Sequence, residues 1–236
     1  MSFALSLPAV HDGGVFAMTP VDLVVPVKTL DVAKSRLRGA ADGGVGEPGA
    51  HARLALALAH DTVAAVLAAE SVRRLLVVCS DPVVAAELAA LGVDVVPDGP
   101  VPGLNEAYAH GAAVLRARDG QATVGALQAD LPALRPDELD AAIAEAVAGF
   151  GTAPRAFCAD ADRTGTTFLL AAAGVDLDPR FGTDSARRHE ASGARRLSGD
   201  WPGLRRDVDT SDDLRDAGEI GLGPHTRAVL APSPRC

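Results

Sequence analysis

Short apolar runs alternate with longer, helix-like segments along most of the chain. The strand-like runs, rich in β-branched residues, cover residues 21–27, 73–80, 93–98, 122–128, 155–160 and 166–174. The helix-like segments cover residues 51–69, 81–92, 105–118 and 136–149. Two of these segments have a proline near the start and a glycine at the end, as helices commonly do. The alternation of the two patterns predicts βαβ units.

Strands that are apolar on both sides must be covered on both sides. The pattern therefore predicts a single α/β domain with an open, mostly parallel but mixed sheet flanked by helices. We expect this domain to span residues 21–225, between a loose leader at 1–20 and a tail at 226–236. Ligands of such sheets bind outside the carboxyl ends of the strands, so polar residues that follow strands are the first candidates for a site.

Composition excludes several classes of protein. The 236 residues are 48% hydrophobic, enough for one large core, and the net charge of −9 argues against a nucleic-acid partner. The longest apolar stretch carries His60 and Asp61 in its middle, which suits a core helix and not a membrane span. The three cysteines are far apart and form no CxxC pair, which favours reduced thiols in a cytoplasmic protein. The first twenty residues contain no Lys or Arg, so no signal peptide is expected.

One carboxylate stands at the end of a predicted buried strand. In GALQADLPAL, residues 125–134, the apolar run ends in Asp130 and is cut at once by Pro132. Asp130 has two interpretations. It can cap a turn, because Asp readily accepts backbone N–H bonds. It can also bind Mg²⁺, which proteins hold with one or two carboxylates plus substrate phosphates.

A magnesium site would need a second acid, and the segment LRRDVDTSDDL, residues 204–214, supplies candidates. Asp207 and Asp209 alternate along what we predict to be a short strand, so both would point to the same side. Asp209 has an alternative role, since either Asp209 or Thr210 could cap the helix that follows. Asp207 lies too early in the chain to be that cap.

The distribution of lysine marks a basic loop. Only two of the 22 basic residues are lysines, Lys28 and Lys34, and both follow the first predicted strand, together with Arg36. Ammonium groups serve as point charges for phosphate, so this loop is a candidate triphosphate site. The alternative is a solvated surface loop. The loop lacks a Walker A pattern, and no GxGxxG follows a strand, so neither a P-loop NTPase nor a dinucleotide dehydrogenase is supported.

A further polar block, RFGTDSARRHEASG, covers residues 180–193. Residues 182–185 can open the following helix with backbone N–H groups and hydroxyls, which would suit an anion. The same residues can also be an ordinary N-cap that needs no ligand. The stretch RTGTT at 163–167 offers more hydroxyls and a glycine, so a small phosphorylated or carboxylated acceptor is a plausible ligand.

Taken together, these blocks resemble the guanylyltransferases that make the activated lactyl or enolpyruvyl precursor of the deazaflavin coenzyme F-420. The resemblance runs from about residue 21 to 225 and rests on blocks in the same order. They are VPVKTLDVAKSRL, GLNEAY, QADLPAL, TGTTFLL, RFGTDSARRH and WPGLRRDVDTSDDL. The wider superfamily has the nucleotide-diphospho-sugar transferase fold, which agrees with the α/β sheet predicted above.

The resemblance implies a role for each candidate residue. Asp130 and Asp207 match the magnesium-binding acids, with Asp209 as a further metal ligand, and Mg²⁺ is the implied cofactor. The residues expected to hold the acceptor are Thr166, Gly182 and Ser185. The residues expected to bind GTP are Lys28, Lys34, Arg36, Gly103 and Asn105, the last two near the guanine. Asp130, Asp207 and Lys28 are the expected catalytic residues.

The implied partners are GTP and a small phospho-acid. The composition, rich in Ala and Arg and poor in Lys, suggests a GC-rich genome, and actinobacterial members of the family are associated with phosphoenolpyruvate; 2-phospho-L-lactate is the alternative acceptor. Functional coupling to a downstream transferase is expected. Two other functions stay open, a molybdopterin guanylyltransferase and a non-catalytic nucleotide-binding module.

Overall fold

The computed structural model describes residues 19–28, 37, 40 and 48–231. This part of the chain contains seven strands and eight helices. The strands are β1 Val21–Pro26, β2 Val72–Val78, β3 Asp94–Val96, β4 Thr123–Leu127, β5 Arg155–Ala159, β6 Thr166–Ala171 and β7 Arg195–Arg196. The helices are α1 Pro48–Ala68, α2 Pro82–Ala89, α3 Leu104–Arg118, α4 Pro136–Ala148, α5 Ser185–Ala191, α6 Pro202–Arg205, α7 Ser211–Ile220 and α8 Pro224–Leu230.

The strands form one seven-stranded sheet in the order β3-β2-β1-β4-β6-β5-β7. Four of its six pairings are parallel, and β6 runs antiparallel to both β4 and β5. The predicted mixed, mostly parallel sheet is confirmed. Because β6 is reversed, its first residue lies at the same edge as the last residues of β1 and β4.

Both faces of the sheet are buried, as the continuous apolar strands predict. In β1, Leu23 and Val25 belong to the hydrophobic cluster on one face, whereas Val24 belongs to the cluster on the other. This alternation follows from the two-residue period of a strand. Helix α3 covers the second face closely at Gly111, where a Cβ atom would lie 2.4 Å from a methyl group of Val24.

Helix α8 packs against α1. The Asp61 carboxylate of α1 accepts hydrogen bonds from the backbone N–H groups of His225 and Thr226, at 2.9 and 2.8 Å. The predicted domain boundary at residue 225 falls inside this helix, whose Thr226 is fully buried. Within the described part of the chain, no helix is both long enough and apolar enough to cross a bilayer.

The short strand predicted around Asp207 and Asp209 is wrong, whereas the helix predicted after it is α7. Residues 202–205 form α6, which begins at Pro202, and the Glu138 carboxylate of α4 accepts the N–H groups of Gly203 and Leu204 at 3.3 and 3.0 Å. The chain then continues in irregular structure to the start of α7. Proline and a carboxylate supplied from another helix decide this local conformation, which the apolar pattern alone did not indicate.

Candidate active site at the carboxyl edge of the sheet

Three predicted site residues lie at one edge of the sheet. Lys28 follows β1 and is exposed, Asp130 follows β4, and Thr166 begins the reversed strand β6. Gln128 joins the last two elements, because its backbone N–H donates to the Thr167 carbonyl and its side chain donates to the Thr166 carbonyl, both at 2.9 Å. The edge therefore places a lysine, a carboxylate and a threonine on three adjacent strands.

The structure brings Asp130 next to the predicted second acid. The backbone N–H of Val208 donates to the Asp130 carbonyl at 3.1 Å. Val208 is fully buried, Asp207 before it is half-buried, and Asp209 after it is exposed. Asp207 thus directly precedes the residue that is bonded to Asp130, although the segment is not a strand. The backbone of the 207–208 segment therefore lies beside Asp130, although Asp207 is 77 residues away in the sequence.

Helix α1 supports the turn that carries Asp130. The Thr62 hydroxyl accepts from the Leu131 N–H at 2.9 Å, and its single proton is shared between the carbonyls of Leu58 and Ala129, at 2.9 and 3.1 Å. One threonine therefore holds the backbone on both sides of Asp130, whose side chain is 9% exposed. This fixed, largely buried position suits a residue that must present a carboxylate at the end of a strand.

The capping alternative for Asp209 is wrong, because Thr210 is the N-cap of α7. The Thr210 hydroxyl accepts from the Asp213 N–H at 3.2 Å, and the Asp213 carboxylate accepts from the Thr210 N–H at 2.9 Å. The two side chains form a reciprocal capping box. Asp209 is left exposed beside the acids, so its predicted metal role stays a prediction.

Asp130 and Asp207 are the carboxylates that could hold Mg²⁺ at this edge. Among the residues that the structure describes, no group of three or more His, Cys, Asp or Glu side chains is arranged to hold a metal ion. Mg²⁺ commonly binds through one or two carboxylates and takes its remaining ligands from substrate phosphates and water. The adjacent Asp130 and Asp207 match that pattern. Of the basic loop, Lys34 and Arg36 lie outside the described residues.

The predicted acceptor residues Thr166 and Ser185 lie in one buried cluster with His189. The Ser185 hydroxyl donates to Thr166 Oγ1 at 3.1 Å, and His189 Nδ1 lies 3.0 Å from the same oxygen. Thr166 and Ser185 are each 1% exposed, and His189 is fully buried. The two hydroxyls are therefore buried next to each other at the start of α5. Sequence analysis did not single out His189.

The loop of residues 180–185 leads into α5 and ends at Ser185. Gly182 is exposed and has a φ of +111°, a left-handed conformation that favours glycine, and its carbonyl accepts from the Ser185 N–H at 3.0 Å. Asp184 precedes α5 with a φ of +55° and makes no side-chain capping hydrogen bond. Asp184 is therefore the N-cap residue of α5 by its position, although its side chain does not cap the helix.

Asn105 contacts the 180–185 loop. Its side-chain oxygen accepts from the Phe181 N–H at 2.7 Å, and its side-chain nitrogen donates to the Phe181 carbonyl at 3.2 Å. This pair of bonds turns the amide toward the loop, whereas the sequence prediction placed Asn105 near the guanine. Gly103 precedes α3 with a φ of +143°, and a Cβ atom there would lie 1.9 Å from a carboxylate oxygen of Glu106.

Asp160 supports the turn that leads into Thr166. Its two carboxylate oxygens accept from the N–H groups of Thr164 and Gly165 at 2.9 and 2.8 Å. Burial raises the pKa of the Asp160 carboxyl, although these hydrogen bonds oppose that effect. The hydroxyls and glycine of RTGTT are thus held in place by an acid that sequence analysis did not select, because its partners are backbone groups.

A cleft of about 380 Å³ lies beside this edge, between the 160–163 turn and the segment after β7. Two arginines in its wall have structural partners. The Arg205 guanidinium donates to the carbonyls of Ala159 and Gly199, both at 2.9 Å, and Arg206 pairs with Asp213 at 3.2 Å. These two guanidinium groups stabilise the surrounding backbone and the start of α7, so the cleft is a weaker phosphate site than its arginine content suggests.

His189 is expected to make stability depend on pH. Burial, with a smaller effect of the neighbouring Arg188, lowers the pKa of His189 from 6.5 to about 4. The unfolded chain therefore binds a proton that the folded chain refuses between these values, so the contribution is complete above pH 6.5 and is lost as the pH falls towards 4. That interval corresponds to roughly 3 kcal/mol at its acid limit.

Urea unfolding of wild type and His189→Gln at pH 7 and pH 5 measures this effect. The free energy of unfolding of the wild type should fall more between the two values than that of the variant, because glutamine does not titrate. An equal fall in both proteins would contradict the assignment of a neutral, buried His189.

Comparison with known proteins identifies relatives of this chain and of its fold. A phosphoenolpyruvate guanylyltransferase from Geodermatophilus obscurus is 56% identical over 213 residues, which cover 90% of this chain and 95% of that protein. Another from Salinispora arenicola is 54% identical over 204 residues, 86% of this chain and 90% of that protein. A solved putative nucleotide-diphospho-sugar transferase from Desulfovibrio desulfuricans has a TM-score of 0.62 at 16% identity, covering 90% of this chain and 93% of that one. This last likeness confirms the predicted fold alone. No protein-family model matches the chain.

Proposed function

The chain belongs to the phosphoenolpyruvate guanylyltransferase family, and we propose that it transfers the guanylyl group of GTP to the phosphate of phosphoenolpyruvate. The products are enolpyruvyl-2-diphospho-5'-guanosine and pyrophosphate, and the reaction belongs to coenzyme F-420 biosynthesis. The observation that supports this function most directly is the pairing of Val208 with Asp130, which places the acid after β4 beside Asp207.

The reaction requires little covalent chemistry from the protein. A phosphate oxygen of the acceptor attacks the α-phosphorus of GTP, a new P–O bond forms, and the bond to the bridging oxygen of the β-phosphate breaks. That electron pair leaves with pyrophosphate. The attacking phosphate is already ionised at neutral pH, so no general base is needed. The protein has to align the two substrates and offset their mutual repulsion.

The residues at this edge have separate proposed roles in binding the metal, GTP and the phospho-acid. Asp130 and Asp207 hold Mg²⁺, with Asp209 as an exposed further ligand, and the bound ion supplies positive charge to the reacting phosphates. Lys28 at the end of β1 contacts the phosphates of GTP, and Lys34 and Arg36 are proposed to act beside it. Gly103 lies near the nucleotide base. Thr166, Gly182 and Ser185 form the part of the site that takes the phospho-acid.

Pyrophosphate release in the presence of GTP and Mg²⁺ tests the proposal. Phosphoenolpyruvate, 2-phospho-L-lactate and 3-phosphoglycerate are compared in parallel, because a pocket separates such similar acids by small energies. The highest kcat/KM is expected with phosphoenolpyruvate. Reduced molybdopterin is tested in the same assay as the alternative acceptor. Turnover with the pterin and with no phospho-acid would replace the proposed function.

Lys28→Ala should weaken the use of GTP. The exposed ammonium group contributes charge to phosphate binding, so its removal is expected to raise KM for GTP about tenfold, while KM for the phospho-acid changes little. Initial rates over a GTP series at saturating acceptor measure the effect. Arg187→Ala, which removes an exposed cation on α5, is the matched control. An unchanged KM for GTP in Lys28→Ala would mean that Lys28 belongs to a solvated surface loop and does not bind GTP.

A further inference from the structure

We propose that Asn105 and His189 are positioning residues for the phospho-acid acceptor, acting through the backbone of Arg180 and Phe181. The inference rests on the proposed function, because it deepens the role of the 180–185 loop in that reaction. It also reassigns Asn105, which the sequence pattern placed beside the nucleotide, from the donor to the acceptor.

The 180–185 loop is held by side chains from two helices. Asn105, at the start of α3, bonds both the N–H and the carbonyl of Phe181, at 2.7 and 3.2 Å. His189, in α5, accepts the N–H of Arg180 on Nε2 at 3.0 Å. Two consecutive residues thus have three hydrogen bonds to buried or half-buried side chains, immediately before the exposed Gly182.

The Phe181 ring strengthens this attachment. It is 3% exposed, stacks on Tyr108 of α3 with ring centroids 4.4 Å apart, and meets the His189 ring edge-on at 5.3 Å. Aromatic pairs of this kind contribute beyond the area that they bury. The entry to the loop is therefore fixed by both polar and apolar contacts to the same two helices.

The hydrogen bonds also determine the tautomer of His189. Because Nε2 accepts the Arg180 N–H, the proton of the neutral ring is on Nδ1. Nδ1 then donates to Thr166 Oγ1, 3.0 Å away, and the Ser185 hydroxyl donates to the same oxygen at 3.1 Å. His189 consequently connects the backbone of the loop to two residues of the proposed acceptor site, and a shift of its ring would displace both.

The two nitrogen atoms of His189 can be tested separately. Asparagine places its amide nitrogen near the position of Nδ1 and keeps a donor for Thr166, whereas glutamine places its terminal amide near Nε2 and keeps an acceptor for the Arg180 N–H. Asn105→Ala removes both bonds to Phe181, and Asn105→Asp keeps only the acceptor. Glu190→Gln, an exposed residue of α5 paired with Arg196, is the matched control.

The experiment measures KM for phosphoenolpyruvate and KM for GTP in each folded variant, with folding checked by thermal unfolding. We expect KM for phosphoenolpyruvate to rise about tenfold in Asn105→Ala, Asn105→Asp and His189→Asn, and no more than about threefold in His189→Gln, which keeps the acceptor for the Arg180 N–H. KM for GTP should stay within about twofold in all of them, and Glu190→Gln should match the wild type.

Four results would overturn the inference in distinguishable ways. A rise in KM for GTP in the Asn105 variants would mean that Asn105 serves nucleotide binding, as the sequence pattern predicted. Equal effects of His189→Asn and His189→Gln would show that His189 serves the fold in general and does not position the Arg180 backbone. Wild-type protein that turns over no phospho-acid would remove the proposed function itself and the acceptor role with it, whereas active wild type with unchanged KM values in the variants removes only the positioning role.

Discussion

Asp130→Asn is expected to lower kcat by about 10³-fold while the protein stays folded. Asparagine has nearly the same shape as aspartate, so the turn supported by Thr62 should persist. The substitution removes the negative charge that is proposed to hold Mg²⁺ between two anionic substrates. Steady-state pyrophosphate release at saturating GTP and phosphoenolpyruvate gives kcat, and circular dichroism with thermal unfolding verifies the fold.

Two further variants make this prediction specific. Asp207→Asn should cause a loss of similar size, because Asp207 shares the proposed ion. Asp212→Asn, which removes an exposed carboxylate paired with Arg215 in α7, should retain wild-type activity. Full activity in Asp130→Asn would mean that the carboxylate at the end of β4 serves the turn and that the metal is held elsewhere.

Asp61→Ala is expected to destabilise the protein by about 3 kcal/mol. The Asp61 carboxylate is nearly buried and accepts three hydrogen bonds, from the backbone N–H groups of His225 and Thr226 and from His225 Nδ1. Its removal leaves the N–H of the fully buried Thr226 without this partner and weakens the contact between α8 and α1. The free energy of unfolding in urea at pH 7 measures the loss.

His225→Ala is the comparison for that prediction. It deletes the side-chain donor but keeps both backbone hydrogen bonds to Asp61, so its cost should be smaller, about 1 kcal/mol. If Asp61→Ala were no more destabilising than His225→Ala, the carboxylate would not be the main attachment of α8 to the domain.

Much of the fold was predictable because local sequence patterns determine its strands and helices. The runs that became β1, β2 and β4 are buried on both faces of the sheet and contain few polar residues, and α2 begins as its Asp-Pro start predicts, with Asp81 accepting the N–H groups of Val83 and Val84. The segment around Leu204 was assigned incorrectly because α6 depends on Glu138, 66 residues away from Leu204 in the sequence.

The candidate site was likewise predictable only in part, because some of its contacts come from residues far apart in the sequence. The position of Asp130 could be predicted because this acid follows an apolar strand of an α/β sheet. Asp207 was selected on a strand that the structure does not contain, and the roles of Asp130, Asp207 and Lys28 stay predictions. The hydrogen bonds of Asn105 and His189 could not be predicted, because their partners are backbone groups or hydroxyls brought close by the tertiary fold; Asn105 and Phe181 are 76 residues apart.

The most direct test of guanylyl transfer is to identify the product. Wild-type protein in excess over GTP is mixed with Mg²⁺ and phosphoenolpyruvate, so that one turnover suffices even if the product is inhibitory, and the mixture is quenched for mass spectrometry and ³¹P NMR. We expect pyrophosphate and guanosine joined through a diphosphate to the enolpyruvyl group, with neither formed by Asp130→Asn. Addition of the downstream transferase and its deazaflavin acceptor traps an unstable product. Intact GTP with the trap present, or release of free GMP and pyrophosphate in place of the diphosphate, would contradict the account.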